Sequence, residues 1–305
     1  MGHDRSSEWK RDAAYFVDRF RDRTLFYWSR KHFEKKEERK EEMKKIFEII
    51  IKVILFFLLW LIGVGVIPVP NIENPAMWRF AAELMPLLVI YIITVIFLFI
   101  EKRKIKLQLT DNWIKGMIIG SVCGIIWLVI PVLIMYVGKI ICFEGINHIP
   151  LWGVWLVCVL LNVIMQELLV RGYLYQMIKQ KSNIIVATLV TTGIFTLLHG
   201  GALEAGVIAV LNVLTMSLFM TVLLEWTKSL WAPIMAHFMW NAIGALVLNG
   251  VSLAEDYPHL FITVFVGNDI FSGVQCKLEG SIVVLVINIF FVTYILHLWR
   301  RKQNR

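Results

Sequence analysis

The chain has 305 residues, is 58% hydrophobic, and has a mean hydropathy of +0.68 and a formal charge of +8. A soluble domain of this length is not so apolar throughout. The positive charge does not point to nucleic acid, because it collects between apolar runs as it does in membrane proteins. The fold class read from this pattern is all-α, a polytopic membrane helix bundle.

Residues 1–45 alternate charges with Trp9, Tyr15, Phe16, Phe20, Phe26, Trp28 and Phe33. Two readings stay open there. One is a solvated charged helix, and the other is an amphipathic segment lying on anionic lipid or on a partner. No cleavable signal peptide is expected, because no short apolar stretch opens the chain.

Hydropathy then predicts eight spans, over residues 46–67, 82–100, 113–137, 152–176, 184–200, 204–224, 231–249 and 281–299. Pro68 and Pro70 should stop the first. Asn112 is placed to cap the third, and Ser182 or Asn183 the fifth, with Gly200 and Gly201 ending it. Residues 250–280 read as the longest loop. Domain organisation follows as an extension over 1–45 and one membrane domain over 46–305.

Charge sets the expected orientation. Of the 31 Lys and Arg, 27 fall in alternate connections and at the termini, 14 of them within residues 1–45. Cytoplasmic loops collect Lys and Arg, so both termini should be cytoplasmic, and an even span count agrees by placing them on one side. Cys123 and Cys158 fall in apolar runs, while Cys142 and Cys276 fall in outer loops where a disulfide is conceivable. No Cys/His zinc spacing occurs.

The polar residues inside the apolar runs carry the functional argument. Asp, Lys or Arg at a transmembrane helix centre costs about 2.5–3.5 kcal/mol on insertion scales, so such groups have partners and often chemistry. Gln166 and Glu167 are neighbours, about 100° apart on a helix, so they cannot share one task. Glu167 and Arg171 are four apart and form an ion pair on one face. Asn162 and Gln166 form a second polar line. Phe195 and His199 share a face, as do His237 and Asn241. By depth, Gln166 and His237 fall in the inner half and His199 nearer the outer side. A tilted or protruding fifth helix would bring them together.

These residues resemble the motifs of the CAAX-protease and bacteriocin-processing (Abi) family of intramembrane proteases. Its Glu-Glu-x-x-x-Arg is matched by Gln166-Glu167-Leu168-Leu169-Val170-Arg171, its Phe-x-x-x-His by Phe195 to His199, and its His-x-x-x-Asn by His237 to Asn241. The likeness covers about residues 110–250. It implies a glutamate-dependent endopeptidase that cleaves a prenylated, leader or other membrane-associated peptide. By that resemblance, the first motif's leading Glu and His199 activate water, and His237 with Asn241 hold the oxyanion. The site residues carried over are Gln166, Glu167, Arg171, His199, His237 and Asn241.

The departure is Gln166, where the family has its base. An amide takes up no proton near neutral pH, and losing a general base costs about 10²–10⁴-fold. The chain as written is therefore expected to be inactive, through an inactivating Glu-to-Gln substitution or as a non-catalytic relative. The alternative function is a membrane scaffold binding a signalling or export partner. A metal site of Glu167, His199 and His237 is disfavoured by the lack of H-E-x-x-H. A transporter is disfavoured by the lack of an inverted repeat. No cofactor, metal or nucleic acid is expected. The expected partners are a peptide or lipidated-protein substrate and the bilayer. A bacterial plasma membrane is the expected location, with the endoplasmic reticulum as alternative.

Overall fold

Proline sets the first boundary. Helix α1 (Arg5–Val66) ends ahead of Pro68 and Pro70, whose rings cannot continue a helix. The computed structural model describes residues 5–253 and 256–304. The aromatic side chains from Trp9 to Trp28, on which the amphipathic reading rests, lie outside what is described. Two compact units are seen, Met1–Lys52 and Val53–Arg305. In the first, Lys40–Glu37, Lys44–Glu41 and Lys52–Glu48 are local helix-surface pairs.

The second unit is a helix bundle. It contains α2 (Pro75–Ile100), α3 (Trp113–Val137), α4 (Trp152–Glu167), α5 (Tyr175–Lys181), α6 (Ile184–Leu198), α7 (Gly200–Ala205), α8 (Val207–Thr227), α9 (Trp231–Asn241), α10 (Asp269–Ser272) and α11 (Ile282–Gln303). π-helical segments follow α4 (Leu168–Leu174) and α9 (Ala242–Val247), and a 3₁₀ turn (Val274–Gly280) precedes α11. Among the described residues, six helices are long and apolar enough to cross a membrane. Large side chains such as Ile92, Phe99, Val129 and Phe290 stay exposed on their outer faces, as lipid contact requires. This is a multi-pass membrane protein.

Several sequence expectations are corrected. The expected fifth span is α6, only 15 residues long. At 1.5 Å per residue it reaches about 22 Å, short of the ~30 Å hydrocarbon core. The expected seventh span is α9 and its π-helical continuation. Asn112 does not cap α3, for it adopts φ 49° and its side chain makes no cap bond. Asn183 does cap α6, accepting from the Val186 N–H at 2.9 Å. α6 ends before Gly200, which opens the short α7 instead. The region expected to be all loop contributes a strand. β2 (Phe261–Phe265) pairs antiparallel with β1 (Ile141–Ile146). All four cysteines are free, so no disulfide joins Cys142 to Cys276.

Close helix contact positions the site. Gly116, Gly120 and Gly124 recur every fourth residue on α3. A Cβ at each would collide with Ser229, Ala232 or Ala236 on or just before α9. Small residues let membrane helices approach to backbone contact, so α9 is seated directly on α3. Buried polar bonds tie α3, α8 and α11 together. Trp127 Nε1 donates to Asn288 Oδ1 at 2.6 Å, and Asn288 Nδ2 donates to Asn212 Oδ1 at 3.3 Å.

Candidate active site

α4 delivers two adjacent polar residues to opposite environments. Glu167 is its last residue, and the π-helical segment carrying Arg171 follows directly. π-helical turns recur at functional sites because they re-aim side chains. Here Arg171 Nη1 donates to both Glu167 oxygens at 2.9 Å, and both side chains are fully buried. Arg171 Nη2 donates to the Ser217 carbonyl and hydroxyl, each at 2.9 Å. The expected ion pair is present, and Glu167 has a second partner. His237 Nδ1 lies 2.9 Å from Glu167 Oε1.

Gln166 faces the other way, into a cavity of about 290 Å³. Its amide orientation follows from a chain of bonds. Asn162 Nδ2 donates to the Glu83 carboxylate at 2.8 Å, so Asn162 Oδ1 is free to accept from Gln166 Nε2, at 2.7 Å. Gln166 Oε1 is then left buried without a partner. Arg79 and Tyr257 complete the shell of Glu83.

The other motif residues line the same cavity. His199, His237 and Asn241 share its wall with Gln166, so the structure brings together four of the six residues singled out. Glu167 and Arg171 stand behind that wall and hold His237. His199 sits just past the C-terminus of α6, and its Nδ1 satisfies the Phe195 carbonyl at 2.8 Å, one of the orphan acceptors of a helix end. The structure brings His199 to the same cavity wall as Gln166. Phe195 packs among His199, His237 and Arg171. Its ring is 4.3 Å from that of His199 and 6.1 Å from that of His237, and the Arg171 guanidinium lies 5.0 Å from its centre.

Tautomers follow from these partners. A carbonyl and a carboxylate only accept, so both histidines carry a proton on Nδ1, and a ring with that one proton has Nε2 as an acceptor. His237 donates from Nε2 only when both nitrogens are protonated. Asn241, with its amide on the cavity wall, is the neutral donor. Among the described residues no group of three or more His, Cys, Asp or Glu side chains is arranged to hold a metal ion.

Residues 148–243 match the model of a family described as Rce1-like, type II CAAX prenyl endopeptidase Rce1-like. The matched segment is similar to that family. It spans α4 to the start of the second π-helical segment, and so contains all three motifs. The matched segment is less than half of the chain, and α1–α3, the β pair and α11 fall outside it. No curated protein and no solved structure matches the chain.

Three groups at or beside the cavity escaped the sequence reading. Glu83 falls at the edge of an expected span, and its link to Asn162 crosses between helices. Trp60 and Glu279 line the cavity from outside the matched segment. An acidic residue two positions before the last expected span was the available signal for Glu279.

Proposed function

We propose that this cavity is the peptide-hydrolysing site of a CAAX-protease-like intramembrane endopeptidase. The observation that carries the reading is the gathering of Gln166, His199, His237 and Asn241 around one cavity with Glu167 and Arg171 locked behind it. A substrate carbonyl placed there meets the Asn241 amide, and His237 when doubly protonated, where negative charge develops. Gln166 Oε1 accepts a hydrogen bond from water and orients it, but takes no proton. Position 166 by itself therefore leaves the reaction without the family's base. Glu167 does not replace it, since its oxygens are occupied by Arg171 and His237.

The substrate class is a membrane-associated peptide, with prenylated and leader peptides both admitted by the family. With the termini cytoplasmic, the loops carrying Ser252, Leu253 and Glu279 approach the cavity from the opposite side of the membrane. That favours a translocated leader-type peptide, in a bacterial plasma membrane. The second reading, a scaffold that binds a partner without cutting, is favoured by Gln166 alone.

Turnover of two internally quenched peptides in proteoliposomes tests the proposal. One peptide is farnesylated at a CAAX end and the other is an unprenylated leader type. Q166E should cleave one of them about 10²–10⁴-fold faster than the chain as written. His237→Ala in that background should abolish the gain. Absence of cleavage of either peptide by Q166E would overturn the reading.

A further inference from the structure

A carboxylate outside the matched segment reaches the same cavity. Glu279 lies on the 3₁₀ turn before α11 and shares the cavity wall with Gln166, His199, His237 and Asn241. Its backbone is fixed from two sides. Asn212 Nδ2 donates to the Glu279 carbonyl at 2.9 Å and to the Ser281 carbonyl at 3.0 Å. The Leu278 N–H donates to the Gly250 carbonyl at 3.0 Å. The turn closes tightly at Gly273, which has φ +75° and no room for a Cβ against Lys277.

Three carboxylates stand at or beside the cavity, and they differ in what surrounds them. Glu83 has Arg79, Tyr257 and Asn162. Glu167 has Arg171 and His237. Glu279 has one long bond, from the Ser252 N–H at 3.4 Å, and no cation pairs with it among the described residues. The indole of Trp240 lies close by, one residue from Asn241 and three from His237. Burial pushes the Glu279 carboxyl up to about 7, against the smaller opposing pull of the Ser252 N–H and Trp240. A group that must take a proton and return it works best at such a value.

We propose that Glu279 supplies the carboxylate that position 166 lacks, acting as general base toward water in the cavity. The proposal rests on the peptidase reading above. The step balances within the site. A water lone pair attacks the peptide carbonyl carbon while Glu279 takes the water's proton. The carbonyl π pair moves onto oxygen, facing Asn241. On collapse the C–N bond breaks, and Glu279 gives its proton to the leaving nitrogen, leaving a new carboxyl end and a free amine. Gln166 Oε1 holds the water and His199 Nε2 offers a second acceptor to it.

The experiment compares four proteins on the two quenched peptides in proteoliposomes: the chain as written, E279Q, Q166E and the double variant Q166E/E279Q. The chain as written should cleave slowly, with kcat/KM rising through pH about 7. The titratable groups that share the cavity wall with Glu279 are His199 and His237, and Lys277 on its own turn is held by Asn249. E279Q should lower the rate by about 10²-fold or more. The double variant should keep most of the Q166E rate, which also shows that E279Q folds. Equal rates for E279Q and the chain as written would overturn the proposal and leave His199 as the base. So would loss of the Q166E rate in the double variant, which would mark a structural role. A silent chain beside an active Q166E would overturn the role of Glu279 and leave the peptidase reading standing. Silence from both would remove both.

Discussion

The two faces of α4 at its C-terminal end make opposite use of polar groups. Behind the cavity, Glu167, Arg171, His237 and Ser217 satisfy one another with bonds of 2.9 Å in full burial. On the cavity side, Gln166 Oε1 has no partner and Glu279 has one weak one. A saturated cluster in low dielectric fixes geometry and resists change. An unsaturated wall is where water or a substrate finds its bonds. A one-residue step along the helix separates scaffold from candidate chemistry.

The sharpest way to break that contrast is to open the saturated side. Arg171→Ala strands Glu167 in the interior, and breaking one partner of a buried pair costs about 3–5 kcal/mol. Thermal unfolding in detergent should show a large drop, greater than for Gln166→Ala. Equal, small losses would mean that the cluster is not the scaffold.

A second test moves His237 without touching it. Gly120→Leu puts a side chain into the Ala232 backbone across the α3–α9 contact. Overpacking of this kind costs about 1–3 kcal/mol, and it should displace α9. Cleavage by a Q166E background should fall with KM and kcat both affected, as activity assays would show. Unchanged kinetics would separate the helix contact from the site.

A milder change sharpens the cavity side. Asn162→Leu removes the bond that turns Gln166 Oε1 to the cavity, a loss of about 1 kcal/mol of hydrogen bonding. Stability should change little, and the rate of the chain as written should fall several-fold.

The smallest effect is a pH dependence of stability. The Glu279 carboxyl is raised from the ordinary 4.5 to about 7 by burial. A raised folded value means that its contribution is fully present below 4.5 and is lost as pH rises through about 7. Melting temperatures of the chain as written and E279Q should therefore diverge across that window, with E279Q gaining relative stability as pH rises. A constant difference would contradict the raised value.

The sequence made some of this visible for physical reasons. Gln166, Glu167, Arg171, His199, His237 and Asn241 stand out because polar groups in hydrocarbon are expensive, and their spacings of four survive in the helices that carry them. Helix ends at Pro68 and Asn183 were readable from local rules. What stayed hidden depends on distance along the chain. Pairing of 141–146 with 261–265 leaves no local mark. A carboxylate in a loop is ordinary until burial makes Glu279 unusual. The glycines at 116, 120 and 124 were in plain view as a four-residue repeat, and only the seat on α9 gives them meaning.

Product analysis in ¹⁸O-labelled water tests the central claim most directly. Q166E in liposomes, given the quenched leader-type and farnesylated peptides, should yield one cut. The new carboxyl end should carry label, and His237→Ala or Asn241→Ala in the same background should erase the product. Intact peptide in every sample, or a product that persists without His237 and Asn241, would contradict the account.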